Sequence, residues 1–188
     1  MQAKQSITLI RHGPPAVSLR QRVRGNRFRA FVEQYDAAKV ARRAYPPSQA
    51  MINMAQADWV FVSHRPRALH TAELLGMPAR SVVDAQFREI EFPVDFPRYF
   101  RFSALTWTAI ALTLWRLGYS RRCEPFGGAK ARARTAADRL EAKSQQGSVV
   151  LVAHGGINRL IAQELRLRGW RGPRLPRSYH WGSTTYIR

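Results

Sequence analysis

"SITLIRHGPP", Ser6 to Pro15, sets four strand-forming residues, Ile7 to Ile10, directly against an Arg-His pair and then halts the chain with Gly13, Pro14 and Pro15. Proline has no N–H to give to a ladder, so the strand ends there. A buried strand that stops abruptly in polar residues presents side chains at the carboxyl edge of a sheet, where α/β proteins bind ligands. A second stretch repeats the pattern: "VVLVAHGG", Val149 to Gly156, is a hydrophobic strand ending in His154 and two glycines. One strand-end histidine is usually structural, and arginine is abundant in this chain. Two strand-His-Gly elements put both histidines at the same sheet edge and point to a site.

Further strand-like runs occur at Trp59–Val62, Ser81–Val83 and Thr184–Ile187, and the second histidine strand starts at Ser148. Helical patterns lie between them. "PRALHTAELLG" begins with a first-turn proline, puts Ala68, Ala72 and Leu75 on one face and stops at Gly76. "AKARARTAADRLEAK", Ala129 to Lys143, is an alanine-rich helix, and Gly155 to Gly169 places Ile157, Leu160, Ile161 and Leu165 at helical spacing. This alternation predicts a three-layer α/β/α sandwich around a mainly parallel sheet, in one domain over residues 1–188. Arg20 to Tyr45 and the Trp-rich Pro93 to Phe126 break the alternation and read as candidate insertions capping the sheet edge. Trp107, Leu112 and Trp115 fit either a helix core or a lid whose aromatics line a pocket.

The 188 residues are 45% hydrophobic and carry a formal charge of +19, resting almost wholly on arginine. No apolar run approaches a membrane span, and the longest, Ala104 to Trp115, is too short. The N-terminus enters its first strand without the apolar core of a signal peptide, so a soluble cytoplasmic protein with no membrane partner is expected. The single Cys123 permits no internal disulfide and no cysteine metal cluster. A basic surface attracts polyanions. Apart from the cluster "RQRVRGNRFR", which ends at Arg29, the arginines are dispersed and no nucleic-acid motif is present, so specific nucleic-acid binding is not expected.

A third element lies in "SHRPRALHTAELL", where Arg67 opens a helix and adds its guanidinium to exposed N–H groups. Together these motifs resemble the histidine phosphatase superfamily, the phosphoglycerate-mutase-like fold: Arg11-His12-Gly13, then Ser63, Arg67, Ala68, Thr71 and Ala72, then Glu89 in "FREIEF", then His154-Gly155. The resemblance implies a metal-independent, cofactor-free phosphomonoester hydrolase. In it His12 is the nucleophile that becomes phosphohistidine, Arg11, Arg67 and His154 hold the phosphoryl oxygens, and Glu89 is the general acid and then the base. Glu91 is the rival for that last role. Pro14, Pro15 and Ala16 replace the Glu-Thr that commonly follows the motif in members with mutase or broad sugar-phosphatase activity, and "GGA", Gly127 to Ala129, replaces a common Gly-Glu-Ser, so mutase activity is not expected. A phosphorylated small molecule is the expected substrate. A phosphoprotein phosphatase recruiting an acidic partner, and a non-catalytic polyanion binder on the same fold, are the alternatives. His64, His70 and His180 match no motif position and read as residues at or behind the surface.

Overall fold

The computed structural model describes residues 5–188. A five-stranded sheet is built from β1 (Ser6–Arg11), β3 (Trp59–Ser63), β4 (Val82–Asp84), β6 (Val149–Ala153) and β7 (Ser183–Ile187), in the order β4-β3-β6-β1-β7. All neighbours are parallel except β7, which runs antiparallel along β1. Each strand that the sequence pattern indicates is present within a residue or two, including the fully buried β6. Full burial is what a central parallel strand requires and explains its unbroken apolar run.

The period-2 alternation divides the sheet into two faces. Ile7, Leu9, Phe61, Val149 and Leu151 pack against α5 (Phe126–Ser144) and α6 (Gly155–Leu167). Ile10, Val60, Val62, Val150 and Val152 pack against α2 (Ser48–Ala55) and α3 (Pro66–Leu74). Gly76 and Gly169 follow the last turns of α3 and α6 with φ of 80° and 88°, conformations in which a side chain would be strained.

The two segments that break the alternation come together. β2 (Arg22–Arg24) pairs antiparallel with β5 (Arg101–Ser103), while α1 (Phe28–Ala37) packs on α4 (Ala104–Arg116). Phe28, Phe31, Val23, Trp107 and Ala111 form a third buried cluster there, with Trp107 Nε1 donating to Val23 O at 3.0 Å. Trp115 is buried against the α5 side of the main core. Both tryptophans are therefore core residues. The 20–45 segment reads as irregular because β2 and α1 take their burial from a partner some 80 residues away, which no local periodicity records.

Candidate active site

Three parallel neighbours, β3, β6 and β1, end at one edge of the sheet, and the residues at or just past their ends are Ser63, His154 and His12. His12 N–H continues the ladder by donating to Ala153 O at 3.0 Å, which fixes the two histidines side by side. Their rings stand 5.2 Å apart, nearly edge to face. His154 is fully buried, with Nε2 2.8 Å from Ser63 Oγ. Among the described residues its Nδ1 has no partner.

Arg67 enters from the first turn of α3, just after Pro66, and is only 1% exposed. Its Nε–H donates to His12 Nε2 at 3.3 Å, while His12 Nδ1 lies 2.8 Å from Gly13 O. An arginine can only donate, so Nε2 must be the accepting nitrogen and the proton belongs on Nδ1, where it donates to the Gly13 carbonyl. Burial first, then the Arg67 guanidinium, holds His12 well below the usual imidazole range. The same two causes act on His154. Both rings are neutral at pH 7. Thr71 ties the loop to the helix: Gly13 N–H donates to Thr71 Oγ1 at 2.9 Å and the Thr71 hydroxyl donates to Arg67 O at 2.6 Å. That tie explains a threonine four residues after the arginine.

Arg11 reaches past Gly155 and donates through Nη1 to Ser178 O, and its buried Nε has no partner among the described residues. Glu89 sits at the start of α6. Its Oε1 accepts from Ile90 N–H and Ile157 N–H, both at 3.0 Å, and Oε2 accepts from Gly156 N–H at 3.2 Å. The carboxyl group thus satisfies two of the free N–H groups at the start of α6. Glu91 is drawn elsewhere, to Arg88 Nε at 3.4 Å and Glu124 N–H at 3.1 Å.

A cavity of about 260 Å³ opens on this edge. Arg11, His12, Arg67, Glu89 and Glu91 line it, so the structure brings these sequence-selected residues together; His154 lies buried beside His12 beneath them. Its far wall is apolar: Leu19, Phe31, Val32, Phe92 and Val94. Trp107 and Trp115 are not among its lining, and neither is any residue of Arg20 to Arg29, although Leu19 and Phe31 on either side of that cluster are.

Four contributors escape the sequence reading. Asp36 pairs with Arg67 at 2.9 Å and with Arg65 at 3.3 Å. The Tyr35 ring lies 5.0 Å from the Arg67 guanidinium. His180 donates through Nδ1 to His12 O at 3.2 Å, its ring 5.3 Å from that of His12. Arg65, two residues before Arg67 at the same helix start, is the one whose position was visible in the sequence. Tyr35, Asp36 and His180 come from α1 and the approach to β7, and only the fold brings them here.

The match to the histidine phosphatase superfamily (branch 1) runs over residues 7–185. The chain belongs to that superfamily. No curated protein sequence matches it. Among solved structures it is similar to the product of open reading frame Rv3214 of Mycobacterium tuberculosis, at 17% identity and TM-score 0.64, over 96% of this chain and 90% of that one. It is also similar to a mycobacterial glucosyl-3-phosphoglycerate phosphatase in complex with VO3, at 21% identity and TM-score 0.60, over 96% and 92% of the two chains. A phosphoserine phosphatase mutant of Entamoeba histolytica, in complex with phosphoserine, gives 15% identity and TM-score 0.59 over 96% and 89%. At these identities the likeness is one of fold. Among the described residues no helix is long and apolar enough to cross a membrane.

Proposed function

We propose that this chain is a phosphomonoesterase acting through a phosphohistidine on His12. The observation that carries the reading is the neutral His12 ring, with Nδ1–H bound to the Gly13 carbonyl and the Nε2 lone pair turned towards Arg67 in the cavity. Nε2 attacks phosphorus in line with the leaving oxygen, the P–O bond breaks and an N–P bond forms. Arg11 and Arg67 supply positive charge to the phosphoryl oxygens, and His154 offers its unpartnered Nδ1. Protonated Glu89 gives its proton to the leaving oxygen. As a carboxylate it then takes a proton from the water that attacks phosphorus, which breaks the N–P bond and releases phosphate. Glu89 is favoured over Glu91 because it stands at the His154-Gly155-Gly156 edge, whereas Glu91 is bound to Arg88 and to Glu124 N–H.

A cavity of this size with an aliphatic and aromatic wall supports a phosphorylated small molecule with an apolar portion as substrate, in preference to a folded phosphoprotein. Pro14 to Ala16 support hydrolysis rather than phosphoryl return. One compact domain working without metal or cofactor in the cytoplasm completes the proposal. The test is turnover of an aryl phosphate with EDTA present, followed by rapid-quench labelling. Wild type should carry acid-labile, base-stable phosphate. His12→Ala should lose label and turnover together, on the order of 10⁴-fold or more. Label that persists in His12→Ala would place the nucleophile elsewhere.

A further inference from the structure

The exposed side of α4 carries no charge from Ala104 to Trp115 and ends in the exposed Arg116. Leu105 is 56% exposed and Leu117, just past the helix, 79%; Thr106, Ala109 and Thr113 complete this arc. A helix facing water normally carries charge on its outer side; one without it has a partner that is not water. Immediately before β5, Tyr99 and Phe100 are 80% and 55% exposed.

The adjoining β2–β5 ribbon supplies the charge. Val23 and Phe102 are paired across the ribbon, with Val23 in the third core cluster. The other register positions pair Arg22 with Ser103 and Arg24 with Arg101, and all three arginines are exposed. Arg20, Arg27 and Arg98 flank them, also exposed. Among the described residues none of these six has a carboxylate within 4 Å, whereas Arg29 beside them is paired with Asp95. The cluster is therefore free cationic surface, and the ribbon that carries it runs straight into α4, β5 ending at Ser103 and α4 beginning at Ala104.

We propose that this face, the β2–β5 ribbon with the outer side of α4, docks on an anionic lipid bilayer surface. Arginines engage headgroup phosphates while Phe100, Tyr99, Leu105 and Leu117 enter the interfacial layer. This occupant uses both halves of the surface. A nucleic acid would use the arginines and leave exposed Leu105 and Leu117 unexplained. A two-fold copy of the chain would set the arginine cluster against itself. Docking of this kind needs no spanning segment, so it is compatible with the absence of an apolar run of spanning length. The opposite side of the same unit forms the cavity wall, through Leu19, Phe31 and Val32.

Sedimentation with vesicles of phosphatidylcholine, with and without 30% phosphatidylglycerol (about this fraction suffices to make the surface anionic), tests the proposal. Binding should require the anionic lipid. Replacing Arg22, Arg24 and Arg101 by Gln should weaken it on the order of 100-fold, about fivefold for each charge. Leu105→Asp with Leu117→Asp should also abolish it, with circular dichroism showing that the fold is kept. The control is Arg171, Arg174 and Arg177 replaced by Gln, exposed residues on the loop before β7, which removes the same charge elsewhere. Equal loss in that control would mean that net charge alone drives binding and would overturn the proposal. So would full binding by the Leu105/Leu117 variant, or a preference for a single-stranded oligonucleotide that competes the protein off the vesicles.

Discussion

Glu89 and Glu91 stand two residues apart on one extended segment, and what surrounds each separates their roles. Three N–H groups hold Glu89 at the α6 start, while Glu91 is engaged by Arg88 and Glu124 at the cavity's edge. Glu89→Gln should therefore cripple the burst phase with alkyl phosphates, whose alkoxide leaves poorly unprotonated, by about 10²–10⁴-fold. Aryl phosphates should lose far less in that phase, and Glu91→Gln should show no such contrast. The reverse pattern would exchange the two residues. Asp36 makes a different prediction. It competes with an incoming phosphoryl group for Arg67, so Asp36→Asn should tighten inhibition by inorganic phosphate by up to about fivefold, the scale of one partly exposed ion pair. Weaker inhibition would mean that Asp36 positions Arg67 rather than competing for it.

Close approaches between elements set the geometry these residues depend on. A Cβ on Gly156 would lie 2.5 Å from Ile90 Cδ1 and 2.6 Å from Glu89 Oε1, so α6 can bring its N-terminus to Glu89 only with glycine there. Gly156→Ala should cost about 1–3 kcal/mol in a denaturant titration, as overpacking does. It should also reproduce part of the Glu89→Gln leaving-group pattern, since the carboxylate is displaced. Stability loss with an unchanged leaving-group dependence would separate the glycine from the carboxylate. The second glycine of "HGG" is visible in the sequence, but the reason for it is not, because Ile90 lies in a different element some 65 residues earlier. In the same way "SHRPRALHTA" announces a helix start with Arg67 and Thr71, while the Thr71 bond to Gly13 needs β1 and α3 side by side.

Taken as a whole, the molecule holds His12, His154 and His180 neutral in a strongly cationic protein. Burial lowers His12, His154 and His180, and nearby arginines add to each. The unfolded chain therefore binds more protons than the folded one between the depressed folded values and about 6.5, and stability rises with pH across that window. It should be fully present above pH 6.5 and fall as the pH drops below it, by at most about 1.4 kcal/mol per pH unit for each histidine. Asp58, Asp84 and Asp95 are shifted down as well, so the stability they contribute is lost only as the pH falls through the ordinary carboxylate range towards their lower folded values. Urea midpoints at pH 7.5, 6.5 and 5.5 read the histidine window alone. An unchanged midpoint would show that the rings protonate without unfolding.

The sequence by itself determined the sheet, its flanking helices and the strand-end histidines. Each of these rests on local chemistry: a run of β-branched residues, a proline or glycine stop, a helix-period stripe. It also named Arg67, at a helix start, and, through the resemblance to the histidine phosphatase superfamily alone, Glu89. The tertiary structure alone decided which nitrogen of His12 faces the cavity, that Asp36, Tyr35 and His180 belong beside it, and that 20–45 and 93–126 fold onto one another. Those facts depend on contacts between residues dozens of positions apart, and such contacts leave no period in the chain that makes them.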